Sequence, residues 1–287
     1  MKIKIITPSK CIEPICIDSA VKKLEDLQFS VDISQHAKSQ HDYFSGTKKE
    51  RKQDFQEAIN SDSDIIWCSR GGYGLIQYID DLDFSSVKNK HKWLIGFSDI
   101  TVAHLRLNQL GFESIHGAVP LNFDNVTEES LSSIFNVFND EPNEYQFKTN
   151  SYNVEGEVNA EVVGGNLAII YSLLGTNFLP DFNNKILFIE DVGEALYAID
   201  RMMNALRLNG ILDQISGLIV GGFTHVGDSN PKYGETYEQI ISKYVDDKNI
   251  PVCFDFPAGH QEDNRAIVLG RKANLKVNQN GTTFYQA

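Results

Sequence analysis

Three residue types placed at the ends of apolar runs give this chain its candidate chemistry: a serine, a histidine and a carboxylate. In Leu94-Ile95-Gly96-Phe97-Ser98-Asp99-Ile100-Thr101 a strand pattern delivers Ser98 into a tight turn, and a helix pattern starts directly after it. Such a turn holds a hydroxyl out at the carboxyl end of a strand, and the helix N-terminus offers unpaired N–H groups to a developing oxyanion. The second glycine of G-x-S-x-G is missing. A helix N-cap serine reads the same way, because its oxygen accepts a backbone N–H.

A serine hydroxyl becomes a good nucleophile only when a neighbour takes its proton, so a histidine is required. Of the seven histidines, His36, His41 and His91 lie in polar stretches and read as solvated. His104 falls within the helix after Ser98 as a packing or surface residue, and His116 leaves a strand toward a cleft. His260 lies in Phe256-Pro257-Ala258-Gly259-His260-Gln261, a loop after a strand, where catalytic groups commonly sit. His225, after Gly221-Gly222-Phe223, is the runner-up.

The base needs an acid to fix its tautomer. Ile186-Leu187-Phe188-Ile189-Glu190-Asp191 puts carboxylates at the end of an apolar strand, where a charge must be paired. Capping suits Asp191 better than Glu190, and Glu194 is a further candidate. Arg70-Gly71-Gly72-Tyr73-Gly74 reads either as an oxyanion or substrate-carboxylate loop, or as an ordinary strand-to-helix turn. It carries neither phosphate-loop nor dinucleotide glycine spacing. No metal-ligand spacing stands out, so neither a metal nor a cofactor is expected.

The elements that must hold these groups follow from periodicity. Lys2–Thr7, Val31–Ile33, Asp64–Ser69 and Trp93–Phe97 read as strands; Ile17–Leu27, Lys48–Ile59 and Asp99–Leu110 read as helices. Strand and helix alternating at this spacing predict a parallel, flavodoxin-like sheet in an α/β domain over residues 1–150. Asn122–Tyr152 is polar and reads partly as an exposed helix, partly as a linker. A second, mixed α/β domain richer in sheet is expected over 151–287. Its strand reaching Val163 meets a Gly164-Gly165 turn, and a helix follows over Asn166–Leu174. Lys185–Glu190, Gly217–Val220, Val252–Phe256 and Ala273–Val277 read as extended, with helices at Ala198–Asn209 and Tyr237–Tyr244.

The bulk composition fits that picture. The chain has 287 residues, 41% hydrophobic and 23% charged, enough for one large domain or two ordinary ones. A formal charge of −13 disfavours nucleic acid and anionic membrane as partners. The cysteines Cys11, Cys16, Cys68 and Cys253 form no C-x-x-C pair, and Cys68 reads as a buried core thiol. The start is too short for an export signal, and no segment approaches the ~20 apolar residues of a membrane helix. A cytoplasmic protein is expected.

Several segments, taken in order, resemble the LD-carboxypeptidases, serine peptidases that include the microcin-immunity peptidases. They are Ile6-Thr7-Pro8-Ser9, Arg51 to Ala58, Ile65 to Gly74, Gly96 to Thr101, Gly164-Gly165-Asn166-Leu167 with Leu174-Gly175-Thr176, Phe188 to Asp191, and Gly259-His260. The resemblance implies Ser98 as nucleophile, Glu190 as acid and His260 as base, meeting across the domain interface. It implies an oxyanion hole from the N–H of Asp99 with one from Gly71-Gly72. It further implies removal of a terminal D-alanine from a murein tetrapeptide, and a homodimer. Arg70 is the expected partner of the peptide's terminal carboxylate. Gln261-Glu262-Asp263 departs from the family pattern in carrying more acids. The alternatives are an immunity-type hydrolase of peptide–nucleotide or acylated amino-acid conjugates, and a non-catalytic two-domain binder of small molecules.

Overall fold

The computed structural model describes residues 1–88 and 91–287. The first part of the chain alternates strand and helix: β1 Lys2–Ile6, α1 Pro14–Asp26, β2 Ser30–Ile33, α2 Lys48–Asn60, β3 Ile65–Cys68, β4 Trp93–Gly96, α3 Thr101–Gln109, β5 Ser114–His116 and α4 Glu128–Phe138. The rest runs β6 Asn143–Phe147, β7 Gly156–Asn166, α5 Leu167–Ser172, β8 Ile186–Val192, α6 Leu196–Leu208, α7 Ile211–Gln214, β9 Gly217–Thr224 and α8 Tyr237–Ser242. It ends with β10 Val252–Cys253, β11 Ile267–Leu269, β12 Lys272–Asn278 and β13 Gly281–Gln286.

Among the described residues the strands form two sheets, ordered β11-β5-β4-β3-β1-β2 and β10-β9-β8-β7-β12-β13-β6. In the first, β1 to β5 are mutually parallel in the flavodoxin order, and β11 adds antiparallel to β5. Period-two alternation supplies both faces of this sheet. Ile3, Ile5, Ile65, Trp67 and Ile95 pack under α1 and α4. Ile6, Ile66, Cys68 and Leu94 pack under α2 and α3. Parallel strands covered on both sides must be apolar throughout, which is why β3 and β4 are buried along their whole length. Cys68 is accordingly a fully buried free thiol, and burial pushes its pKa up.

The second sheet changes character along β7. Its first half pairs antiparallel with β12, and its second half pairs parallel with β8. Gly164 and Gly165, expected to form a turn, lie inside this strand with φ of 139° and 137°. A Cβ on Gly164 would stand 1.9 Å from the Phe188 carbonyl oxygen, and one on Gly165 would stand 2.5 Å from Thr101 Oγ1. The pair therefore lets the strand pass close to two neighbours rather than reverse. The polar stretch 122–152 also departs from expectation. It holds α4, which buries Ile134 and Val137, and the strand β6, which closes the second sheet at its edge.

Candidate active site

Ser98 follows β4 after a single residue and opens a short 3-10 turn, Ser98–Ile100, that leads into α3. Its φ is 64°, a conformation that non-glycine residues adopt at a cost and that marks functional turns. Gly96 is required just before it, since a Cβ there would come within 2.8 Å of the Ile100 side chain. Gly71 packs against this turn: a Cβ on it would lie 2.8 Å from Ser98 Cβ and 3.2 Å from the Asp99 nitrogen. The glycine loop and the serine turn are thus in direct contact.

The contact is fastened by side chains. The Asp99 carboxylate is buried, and one oxygen accepts from Ser9 Oγ at 2.5 Å and from the Leu75 N–H at 2.9 Å. Burial raises its pKa, while those two donors and the Arg51 charge act against the rise. Arg51 is only 2% exposed and donates to the carbonyls of Gly46, Pro8 and Gly74 and to Gln77 Oε1. It also stacks 4.2 Å from the Phe44 ring. One guanidinium therefore ties three separate loops into the floor beneath the serine turn.

Glu190 sits in β8, fully buried, and opposite it β9 carries an irregularity in register. Bulges of this kind re-aim side chains. His260 Nδ1 lies 2.6 Å from Glu190 Oε2. Only glycine allows the approach: a Cβ on Gly259, φ 111°, would stand 2.8 Å from Glu190 Cβ, and one on Gly221 would stand 2.5 Å from the Ala258 carbonyl oxygen. The loop is held by Gly222 N–H donating to Ala258 O, Gly259 N–H to Asn264 Oδ1, and Thr224 Oγ1 to His260 O. Burial alone would hold the His260 imidazolium down, but the Glu190 carboxylate and its hydrogen bond, with Asp191 behind, leave the pKa raised above 6.5.

Ser98 and His260 line one cavity of about 300 Å³, together with Arg70, Gly71, Gly72 and Phe97. The Phe97 ring packs edge-on to the imidazole, 4.8 Å between centroids. No hydrogen bond joins Ser98 to His260 among the described residues, so the two face a shared space rather than each other. Arg70 donates to the Cys11 carbonyl at 3.0 Å while lining the same cavity. A hydroxyl on a strained turn, backbone N–H groups beside it and a carboxylate-held imidazole across the gap are the parts needed for acyl transfer.

The other candidates fall elsewhere. Glu194 makes no bond to His260. His225 lines an adjoining lobe with φ 53° and is not paired with Glu190. Asp191 caps, as its position suggests: it accepts from Asn166 Nδ2 and from the N–H groups of Val192 and Ala168. Burial first and the adjacent Glu190 second raise its pKa to about 7. His116 does not reach a cleft; it is fully buried between Phe97 and Phe188. His104 is also buried, its Nε2–H donating to Gly96 O and its Nδ1 accepting from Ser114 Oγ, and burial brings its pKa to about 4. His36, read as solvated, packs on Asp54 with Nδ1 at 2.8 Å.

Sequence reasoning did not find the strut joining the two sheets behind the site. Asn166 N–H donates to Thr101 Oγ1 at 3.0 Å, and Asn166 Nδ2 donates to Asp191 Oδ1 at 2.8 Å. Asn166 is also the register partner of Glu190. The signal was present in Gly164-Gly165-Asn166, where two glycines admit the close approach and the asparagine bridges it.

Residues 3–117 match the family model described as the LD-carboxypeptidase N-terminal domain, and residues 159–275 match the LD-carboxypeptidase C-terminal domain. The chain is 31% identical over 280 residues to a probable murein peptide carboxypeptidase of Bacillus subtilis, covering 95% of this chain and 88% of the relative. It is 28% identical over 267 residues to the microcin C7 self-immunity protein MccF of Escherichia coli, covering 80% and 76%. A crystal structure of muramoyltetrapeptide carboxypeptidase from Oxalobacter formigenes superposes with a TM-score of 0.91 at 25% identity, covering 100% of this chain and 99% of that one. With both of its halves matched in order, the chain belongs to the LD-carboxypeptidase family and is a serine-type carboxypeptidase, a hydrolase.

Proposed function

We propose that this carboxypeptidase removes the terminal D-alanine of a murein tetrapeptide, with Ser98 as nucleophile, His260 as base and Glu190 as the acid that orients it. The observation that carries the reading is the 2.6 Å Glu190–His260 bond opening onto the cavity that Ser98 lines. Glu190 holds the proton on Nδ1, so Nε2 is the free acceptor. As Ser98 Oγ attacks the scissile carbonyl, Nε2 takes the hydroxyl proton and later returns it to the leaving amine. Water then hydrolyses the acyl-enzyme by the same route. The Asp99 N–H, with one from Gly71 or Gly72, is assigned to the oxyanion. Arg70 is assigned to the terminal carboxylate of the leaving residue, which a guanidinium suits. Ser98 and His260 must close to hydrogen-bond reach when substrate binds, as free enzymes often leave such bonds long. The same reading includes a homodimer acting in the cytoplasm.

Likeness to MccF supports a second reading within the same chemistry, hydrolysis of a peptide–nucleotide or acylated amino-acid conjugate. Incubation with murein tetrapeptide, followed by mass spectrometry, separates the two: loss of one alanine is expected. Ser98→Ala should lower turnover by at least roughly 10³-fold with thermal stability kept. Residual activity near wild type in that variant would remove Ser98 from the role.

A further inference from the structure

Eight buried side-chain polar atoms have no hydrogen-bond partner among the described residues, and four of them belong to three residues around the Glu190–His260 pair. They are Nδ1 and Nε2 of His116, Oε1 of Glu190 and Nδ2 of Asn264. All three residues are fully buried. Contacts join them into one wall. β5 ends in His116, and Asn264 lies just ahead of β11, whose Ile267 is the register partner of His116. Asn264 Oδ1 accepts from the Gly259 N–H at 2.8 Å, and a Cβ on Gly259 would stand 2.9 Å from Glu190 Oε2. The His116 ring packs edge-on to Phe188, 4.8 Å between centroids. A Cβ on Gly221 would meet both the Phe188 ring, at 2.9 Å, and Glu190 Cβ, at 3.3 Å. Phe97 closes the other side, with its ring against both His116 and His260.

The unpaired atoms are complementary. An ionised Glu190 Oε1 only accepts and Asn264 Nδ2 only donates, while a neutral imidazole does one of each. Burial pushes the His116 pKa well below 6.5, which keeps that ring neutral. Buried polar groups left unpaired are costly, and several of them in one place mark a site for an internal water, which needs two to four such partners.

Resting on the role given to Glu190 above, we propose that His116, with Asn264, holds an internal water that donates to Glu190 Oε1, which makes His116 a positioning residue for the acid. The water oxygen accepts N–H groups from His116 and Asn264, and one of its hydrogens goes to the carboxylate oxygen that His260 leaves free. Glu190 is then fixed at both oxygens. Its charge is also partly satisfied, which moderates its pull on the imidazolium. The other titratable groups near the pair are few. Asp191 adjoins Glu190 on β8, and Arg70, His225 and Glu262 line the cavity lobes that His260 shares. His104 of α3 stands behind His116, 6.5 Å between ring centroids, while β4 and β11 bring only apolar residues.

The test is the titration of His260, followed by NMR of the protein with isotope-labelled histidines, which needs no substrate. Loss of the donor leaves the Glu190 charge less satisfied, so His116→Phe should raise the His260 pKa by about one unit, a tenfold gain in proton affinity. Phenylalanine suits a place already walled by Phe97 and Phe188, and thermal melting checks that the fold is kept. His116→Leu should act in the same direction, so the result does not rest on one folded variant. His116→Gln, which still offers an N–H, should restore part of the wild-type value. In Glu190→Gln there is no charge to satisfy, and adding His116→Phe should leave the pKa unmoved. A His260 pKa unchanged by His116→Phe and His116→Leu, or raised equally with and without Glu190→Gln, overturns the inference. Failure to hydrolyse murein tetrapeptide overturns the peptidase reading instead, because the titration is read without it.

Discussion

Glu190 is fully buried, yet among the described residues only one of its carboxylate oxygens has a partner, the imidazole of His260. A buried charge left with so few donors leans heavily on that one bond, which makes it a strong lever on the histidine. The sign of the pH effect follows. On the proposed mechanism His260 must be neutral to accept the Ser98 proton, and its pKa is raised above that of a free imidazole, so kcat/KM should fall as pH drops, with the acid limb displaced upward. In Glu190→Gln the charge that raises the pKa is gone while burial, which lowers it, stays. The limb should therefore move to lower pH and kcat should fall by roughly 10²–10⁴-fold. A pH–rate profile of the variant with its limb unmoved would contradict this. The three groups proposed to react drew notice in the sequence because each stands at or just after the end of a strand pattern. Arg51 and the Asp99 carboxylate were not, because their partners are backbone carbonyls and N–H groups from loops distant in sequence.

At the scale of elements, the site depends on how α3 is seated against β7 and β8. The Thr101 hydroxyl, at the first residue of α3, is the acceptor for the Asn166 N–H, and Asn166 reaches on to Asp191 beside the acid. Thr101→Val keeps the shape and removes the acceptor, leaving a buried N–H unpaired. Chemical denaturation should show a loss of about 1–3 kcal/mol. Steady-state kinetics should show kcat falling with KM nearly unchanged, because the helix that carries the serine turn loses its tie to the strand that carries the acid. If stability falls and kcat does not, the strut holds the fold together without setting the site. Periodicity revealed most strands and helices of the first sheet, where faces alternate cleanly. It missed β6, whose sequence Asn-Glu-Tyr-Gln-Phe reads as polar, since a strand at a sheet edge needs only one apolar face. It also misread Gly164-Gly165, as glycine marks close approach as readily as reversal.

Over the whole molecule, the two sheets are interlocked rather than strung in series. β11 comes late in the chain yet pairs with β5 of the first sheet. Its Ile267 and Leu269 pack with Phe188 and Ile186 of the second sheet, while Val268 packs with Ile115 and Trp67 of the first. One short strand thus belongs to both cores, a long-range pairing that no local pattern announces. Unfolding should accordingly be a single cooperative transition, with calorimetric and van't Hoff enthalpies agreeing; two resolved transitions would contradict it. The same strand sets the timing of maturation on the ribosome. β5 must wait for about 150 further residues before its neighbour is made, roughly 8–30 s at ordinary elongation rates. Through that interval a nascent sheet keeps a bare edge, open to wrong pairing and to chaperones. His260 emerges only at the close of the same interval, so on the proposed mechanism the newborn polypeptide is inert toward peptides until its translation is nearly done.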